Sequence, residues 1–296
     1  MIQKFSLAVL VLLNVLTLQA QDFRINLFGG MANYAGDLQE KSITFQQSRY
    51  AFGLWGSYDY SDKLMLRAGA HYAQINASDR FQTAELRRLR NLSFATNILE
   101  FHAAGEYHFL GMSSRVFSPY LMGGVAVFHT NPFVYTTTGT KLFLKPFSTE
   151  GQGLVGFPDR KEYKLTQLAL PFGAGVRMTL TDRIDVGAEF SYRKTFTDYI
   201  DDVSGTYVDE LALLTQKGPL AVQLAFRTPE LPGHTFDTYP VANSQRGGKS
   251  KDNYYFFGVT LTYRITGGSS NGNGVFNSGG RGSKRKSNMG CPTNVL

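Results

Sequence analysis

Three of the five histidines, His71, His102 and His108, fall where alternation in a β-strand would turn them to one face, and grouped imidazoles are a common start for a metal site. No carboxylate or thiol signature accompanies them at ligand spacing, so hydrogen bonding inside the fold is expected and no metal or other cofactor is assigned. A Ser/His/acid set for acyl transfer is not recoverable either: His129-Thr130 stands alone near a strand end. Gly151-Gln152-Gly153 and Gly173-Ala174-Gly175 lack the strand-turn-helix setting of a phosphate loop. What remains is charge. Arg67, Arg177, Arg193 and Arg264 share one alternation face with Glu100, Glu106, Asp185 and Glu189, and their expected chemistry is mutual ion pairing inside a narrow barrel, with no catalysis.

The elements that position these charges are strands. Leu64, Leu66, Ala68, Ala70 and Tyr72 alternate with Met65, Arg67, Gly69, His71 and Ala73; Leu99, Phe101, Ala103, Tyr107 and Phe109 alternate with Glu100, His102, Ala104, Glu106 and His108. The same split runs through 184–193 and 255–264, and less cleanly through 23–31, 50–60, 117–128 and 166–180, which makes eight strands. Segments of about ten residues with this period are the signature of a membrane-spanning barrel. A soluble ligand-carrying barrel would put its apolar side chains inside and its charges outside.

Connections alternate short (61–63, 110–116, 181–182) and long (33–49, 76–95, 131–165, 195–253). Bacterial barrels keep short turns periplasmic, so the long loops are expected outside the cell and both termini in the periplasm. Tyr58, Tyr60, Tyr107, Phe109 and Tyr263 near one end, and Tyr50, Tyr72, Tyr192 and Tyr255 near the other, match two interfacial aromatic girdles. Within the fourth long loop, 208–215 and 220–227 have helical composition around Lys217-Gly218-Pro219. The expectation is therefore an all-β, eight-stranded antiparallel transmembrane barrel in contact with outer-membrane lipid.

Residues 1–20 carry a basic start, an apolar stretch from Phe5 to Leu18 and a small-residue exit, the pattern of a signal peptide. Residues 21–266 are assigned to the barrel and 267–296 to a flexible Gly/Ser/Asn-rich, basic periplasmic tail. The net charge of +7 is spread over loops and the tail residues Arg281, Lys284, Arg285 and Lys286, and an exported chain gives no reason to expect nucleic acid. Cys291 is the only cysteine, so an internal disulfide is excluded and an intermolecular one, or an idle thiol, is left.

Several segments stand out, the long-loop ones being distinctive: Asn33-Tyr34-Ala35-Gly36-Asp37-Leu38, Asn91-Leu92-Ser93-Phe94, Thr149-Glu150-Gly151-Gln152-Gly153 and the run from Phe196 to Gly205, with the strand motifs Phe117-Ser118-Pro119-Tyr120 and Asn253 to Gly258 beside them. In these the chain resembles the PorG family of outer-membrane barrels of the type IX secretion system. The resemblance implies a non-enzymatic component that anchors or organises a periplasmic ring of a PorK-like lipoprotein and a PorN-like partner. By analogy, the tail, with Cys291, Arg281, Lys284, Arg285 and Lys286, would meet that ring, including by a disulfide. The alternatives are a structural or adhesive surface barrel and, third, a lipid-modifying enzyme.

Overall fold

The structure, a computed structural model, describes residues 23–41, 43–111, 116–136, 139–233, 238–248 and 250–265. The segment expected to be a signal peptide and the tail, with Arg281, Lys284, Arg285, Lys286 and Cys291, lie outside the described residues. Eight long strands, β1 (Phe23–Ala35), β2 (Arg49–Asp59), β3 (Leu64–Ser78), β4 (Ser93–His108), β5 (Phe117–His129), then β8 (Thr166–Thr179), β9 (Ile184–Thr195) and β10 (Asn253–Arg264), form the barrel wall. The short pair β6 (Phe133–Tyr135) and β7 (Lys141–Phe143) intervenes as a hairpin in the third long loop. Each long strand pairs antiparallel with its neighbours, and β1 pairs with β10 from Arg24↔Arg264 to Ala35↔Asn253, so the sheet closes and leaves no long strand with a free edge.

Period-two alternation decides which side of the wall each residue takes. Phe52, Leu54, Phe101, Val125, Leu168, Phe172, Val259 and Leu261 point outward and are exposed, while Arg67, Glu100, Glu106, Glu189 and Arg193 point inward and are buried. An apolar coat around a charged interior is stable only where the outside solvent is hydrocarbon. No helix among the described residues is long and apolar enough to cross a membrane.

Towards the long loops the pattern inverts. Gln74, Asn76 and Asn97 face outward, where the Gln74 amide donates to Asn97 at 3.1 Å, while Ile75, Ala77, Phe94 and Ile98 face inward and are buried. Pairing from Ser78↔Ser93 to Ala73↔Ile98 is unbroken, so β3 and β4 run past the apolar belt into water. The sequence places a loop over 76–95 because apolar-out alternation stops there; the backbone pairing does not stop. This inverted collar holds the apolar core, with Tyr34, Leu38, Ile75, Phe94, Ile98, Ile200 and Val203 packed in one cluster.

Loops cap this collar. Helix α1 (Glu85–Arg90) lies in the second loop, and α2 (Glu210–Lys217) and α3 (Pro219–Ala225) lie in the fourth. The Asp209 carboxylate accepts the Ala212 N–H at 2.9 Å at the α2 N-terminus, and Gly218, at φ +84°, ends α2 where Pro219 opens α3. Their buried faces, Leu213, Ala221 and Ala225, join Leu154, Tyr207, Val208 and Tyr239 in a second cluster.

Of the girdle residues, Tyr255 departs from expectation. It points outward but is fully buried, because the first long loop folds down over it: its hydroxyl accepts the Thr44 N–H at 2.7 Å and Phe45 packs against Phe257 with centroids 4.9 Å apart. Sequence alternation gives direction but not what a loop covers.

The wall makes a direct prediction. Ala188→Arg, on the lipid face of β9, should cost about 2–4 kcal/mol of stability in a bilayer. Leu86→Arg, on the exposed surface of α1, should stay within about 0.5 kcal/mol. Denaturant unfolding in lipid vesicles measures both, and equal cost would mean that the outward face of β9 does not meet hydrocarbon.

Candidate functional site

The lumen is built in three tiers. At the short-turn end Arg24 contacts Asp59 and donates to Asp185 at 2.9 Å, while Arg264 reaches Asp185 at 2.8 Å. In the middle, Arg67 donates to Glu106 at 3.0 Å and to both oxygens of Glu189 at 2.6 and 3.1 Å; Arg177 donates to Glu106 at 3.1 Å and the Tyr120 hydroxyl donates to Glu189 at 2.9 Å. At the loop end Arg193 grips Glu100 with two bonds of 3.1 Å, and the Tyr254 hydroxyl donates to the same carboxylate at 2.7 Å.

Five arginines thus face five carboxylates, and the lumen is formally neutral. Every charge identified from the sequence as lumenal is in this network. Arg24 and Asp59 were missed, although Arg24 alternates with Phe23 and Ile25, and Asp59 with Tyr58 and Tyr60. Trp55, Tyr254, Phe128 and Phe256 fill the remaining cross-section and are buried. The charges and rings occupy the space through which a solute would have to pass.

The shared face of His71, His102 and His108 was visible in the sequence, but not the partners each of them meets. His108 lies between Ser118, 3.0 Å from its Nδ1, and Glu106, 3.2 Å from its Nε2, a Ser-His-Glu chain assembled across β4 and β5. All three groups are buried in the lumen and Glu106 is also bound to two guanidiniums, so the chain satisfies an enclosed imidazole. His71 and His102 meet at the opposite end, and the carboxylate that the sequence did not place beside them is Glu100: its Oε1 lies 3.3 Å from His71 Nδ1 and 3.8 Å from His102 Nδ1. Strand register His71↔Glu100 brings them together. His129, by contrast, is near the loop end of β5, where its Nδ1 lies 2.9 Å from the Thr166 hydroxyl.

Above the lumen, the segments 33–38, 149–153 and 196–205 converge on one another, whereas 117–120 lies at the short-turn end of β5. Glu150 accepts backbone N–H groups from Ser204 at 3.0 Å and Gly205 at 3.0 Å and the Arg246 guanidinium at 3.1 Å. Asp202 accepts from Thr149 and Tyr163, each at 2.6 Å, and Asp37 accepts the Gly248 N–H at 2.5 Å. Tyr34 places its hydroxyl 2.6 Å from both Asp201 and Asp252. A hydroxyl has one hydrogen, so the second short contact is met by a proton held on one carboxyl. Burial raises both carboxyls well above the ordinary range, with repulsion from Asp252 adding to it at Asp201 and from Asp198 and Asp37 at Asp252. Burial raises Asp202 to about 6, against the opposing pull of Arg246.

Two predictions follow from these geometries. Arg67→Ala leaves Glu106 and Glu189 facing each other without their shared cation and should destabilise the barrel by about 3–5 kcal/mol. Guanidinium unfolding of the purified barrel measures it, and a loss below about 1 kcal/mol would contradict the network's role. In the crown, Asp202 keeps its proton to about pH 6 when folded but only to 3.8 when unfolded, so the folded state is the proton-rich one in that window. Crown stability therefore falls as pH rises through it. Amide exchange over 196–205, corrected for intrinsic rates, should be slower near about pH 4.5 than near about pH 7.5, and Asp202→Asn should shrink the difference. Identical corrected rates in the wild type would contradict this.

Distant likenesses exist among solved structures. Neisserial surface protein A is 10% identical with a TM-score of 0.40, covering 82% of this chain and 97% of its own. OprG from Pseudomonas aeruginosa is 11% identical with a TM-score of 0.36 over 82% and 97%. Ail of Yersinia pestis, in complex with the heparin analogue sucrose octasulfate, is 9% identical with a TM-score of 0.35 over 82% and 99%. The architecture stands on the strand pairing of this chain itself. No curated protein sequence matches it. The family described as a domain of unknown function, DUF6089, matches residues 3–215, most of the chain, and the protein belongs to that family.

Proposed function

We propose that this protein is a non-enzymatic outer-membrane barrel that acts as a scaffold, presenting a rigid crown on one side of the membrane and a basic tail on the other. The observation that carries this is the filled lumen: a neutral, cross-paired interior leaves the two ends as the working surfaces. With short turns in the periplasm, the crown faces outward and both chain ends face inward.

The finer role is participation in type IX protein secretion, anchoring or organising a periplasmic ring of PorK-like and PorN-like subunits. Support comes from the resemblance carried by the loop segments, whose residues Tyr34, Asp37, Thr149, Glu150, Asp201 and Asp202 also bind the crown together. The partner-facing segment is the tail, with Arg281, Lys284, Arg285 and Lys286 to attract an acidic surface and Cys291 to cross-link to it. A second reading, an adhesive barrel, is favoured by apolar residues left in water on the crown: Leu86, Val155 and Val241 are each more than 80% exposed.

A clean deletion separates these roles. Simultaneous loss of several exported proteins carrying the C-terminal secretion signal is expected, with a reductant-sensitive complex on envelope gels that Cys291→Ser abolishes. Normal export with an isolated surface-binding defect would favour the adhesin, and altered lipid A with normal export would favour an enzyme.

A further inference from the structure

We propose that His71, Glu100 and His102 form an internal site for one imidazole-preferring divalent transition ion, of the Zn2+ or Cu2+ class, at the loop end of the lumen. One donor atom from each of the three residues lies within 4.8 Å of the other two. Two imidazoles and a carboxylate are a donor set used for zinc, and tetrahedral ligands at about 2.0–2.1 Å sit roughly 3.3 Å apart. His71 Nδ1 and Glu100 Oε1 are at 3.3 Å already, His102 Nδ1 is 3.8 Å from the same oxygen, and with donor atoms spanning up to 4.8 Å the two rings must turn toward each other to close on one ion.

The stronger evidence is what these rings lack. His71 Nε2 and both nitrogens of His102 have no hydrogen-bond partner, and His71 Nδ1 has only the 3.3 Å contact with Glu100, although both rings are buried. His108, in the same lumen, has both of its nitrogens engaged. Buried polar groups are normally satisfied, so two adjacent unsatisfied imidazoles converging on one carboxylate oxygen point to a ligand. The surroundings offer nothing else: Phe28, Trp55 and Phe256 stand 5.6, 5.5 and 5.0 Å from the His71 ring, centroid to centroid. Gly53 makes the space on the remaining side, since a Cβ there would come within 2.5 Å of His71 Cδ2.

Glu100 is held as a ligating carboxylate should be. Its Oε2 accepts from Arg193 Nε at 3.1 Å and Tyr254 at 2.7 Å, and its Oε1 accepts from Arg193 Nη2 at 3.1 Å while keeping a second lone pair for the imidazole side. Arg193 is fixed independently by Ser191 and by the face of Phe256, 4.1 Å from its Cζ, so it stays in place when Glu100 shares its charge. Because the lumen is already neutral and Arg67 and Arg193 are close, an added dication is opposed electrostatically. The site should therefore favour the ions with the highest affinity for imidazole, Cu2+ above Zn2+, and refuse Mg2+ and Ca2+.

The test uses the full-length mature protein, purified in detergent, unfolded, and refolded with Zn2+, Cu2+ or Mg2+ before desalting. Elemental analysis should find about one Cu2+ or Zn2+ per chain and no Mg2+. His71→Gln/His102→Gln should lose the ion while keeping heat-dependent gel migration, and His129→Ala should keep it. Should the double variant not fold, the Cu2+ paramagnetic resonance spectrum of the wild type decides, with hyperfine splitting from two imidazole nitrogens expected. Less than about 0.1 ion per wild-type chain, retention by the folded double variant, or a spectrum without nitrogen splitting would overturn the site.

Discussion

Arg67 sits between Glu106 and Glu189 at the centre of the barrel, and the rest of the molecule depends on that clasp. An eight-stranded wall encloses room for side chains only, so whatever faces inward must satisfy itself. Hydrocarbon outside forces the outward positions to be apolar, and alternation then sends the polar positions inward. The cost of burying charge is met by pairing every guanidinium with a carboxylate, some on the neighbouring strand and some across the lumen: Arg264 on β10 meets Asp185 on β9, while Arg67 on β3 reaches Glu189 on β9 and Arg193 on β9 reaches Glu100 on β4. Those bonds brace the wall across its diameter as well as neutralising it.

Past the apolar belt the same wall obeys the opposite solvent. Ile75, Phe94 and Ile98 turn in while Gln74 and Asn97 turn out, so a single pair of strands is membrane-patterned at one end and water-patterned at the other. The apolar mouth thereby created is the seat for the crown. Tyr34, Leu38, Ile200 and Val203 are packed into it, and the carboxylates Asp37, Glu150, Asp201, Asp202 and Asp252 tie the loops together above it. Loops held this way are an ordered surface, which a docking role requires and which a membrane anchor alone would not.

The face of each spanning strand was legible in the sequence because hydrocarbon imposes a strict period of two. Gly218-Pro219 likewise marked the boundary between the two crown helices through backbone chemistry alone. Partnerships were not legible, because they depend on register and on distances across the lumen. His108 finds Ser118 and Glu106, and His71 and His102 find Glu100, through pairing that local spacing does not encode. Strand ends failed for a different reason: over 73–78 and 93–98 pairing continues while the solvent changes, so the pattern inverts and reads as a loop. The β6–β7 hairpin, with β6 joined to the wall at Ala95↔Phe133, is too short to show a period. The acidic residues of the crown were conspicuous as motifs, but their convergence became visible only once four loops had folded over one mouth.

A scaffold with a closed lumen differs from a pore in one property above all. Inserted into planar bilayers at high salt, the wild-type barrel is expected to carry no steady ohmic current, whereas Arg67→Ala/Glu189→Ala, which removes the central clasp, is expected to leak if it folds. A stable single-channel conductance in the wild type would show that ions pass the central tier, and would contradict the account.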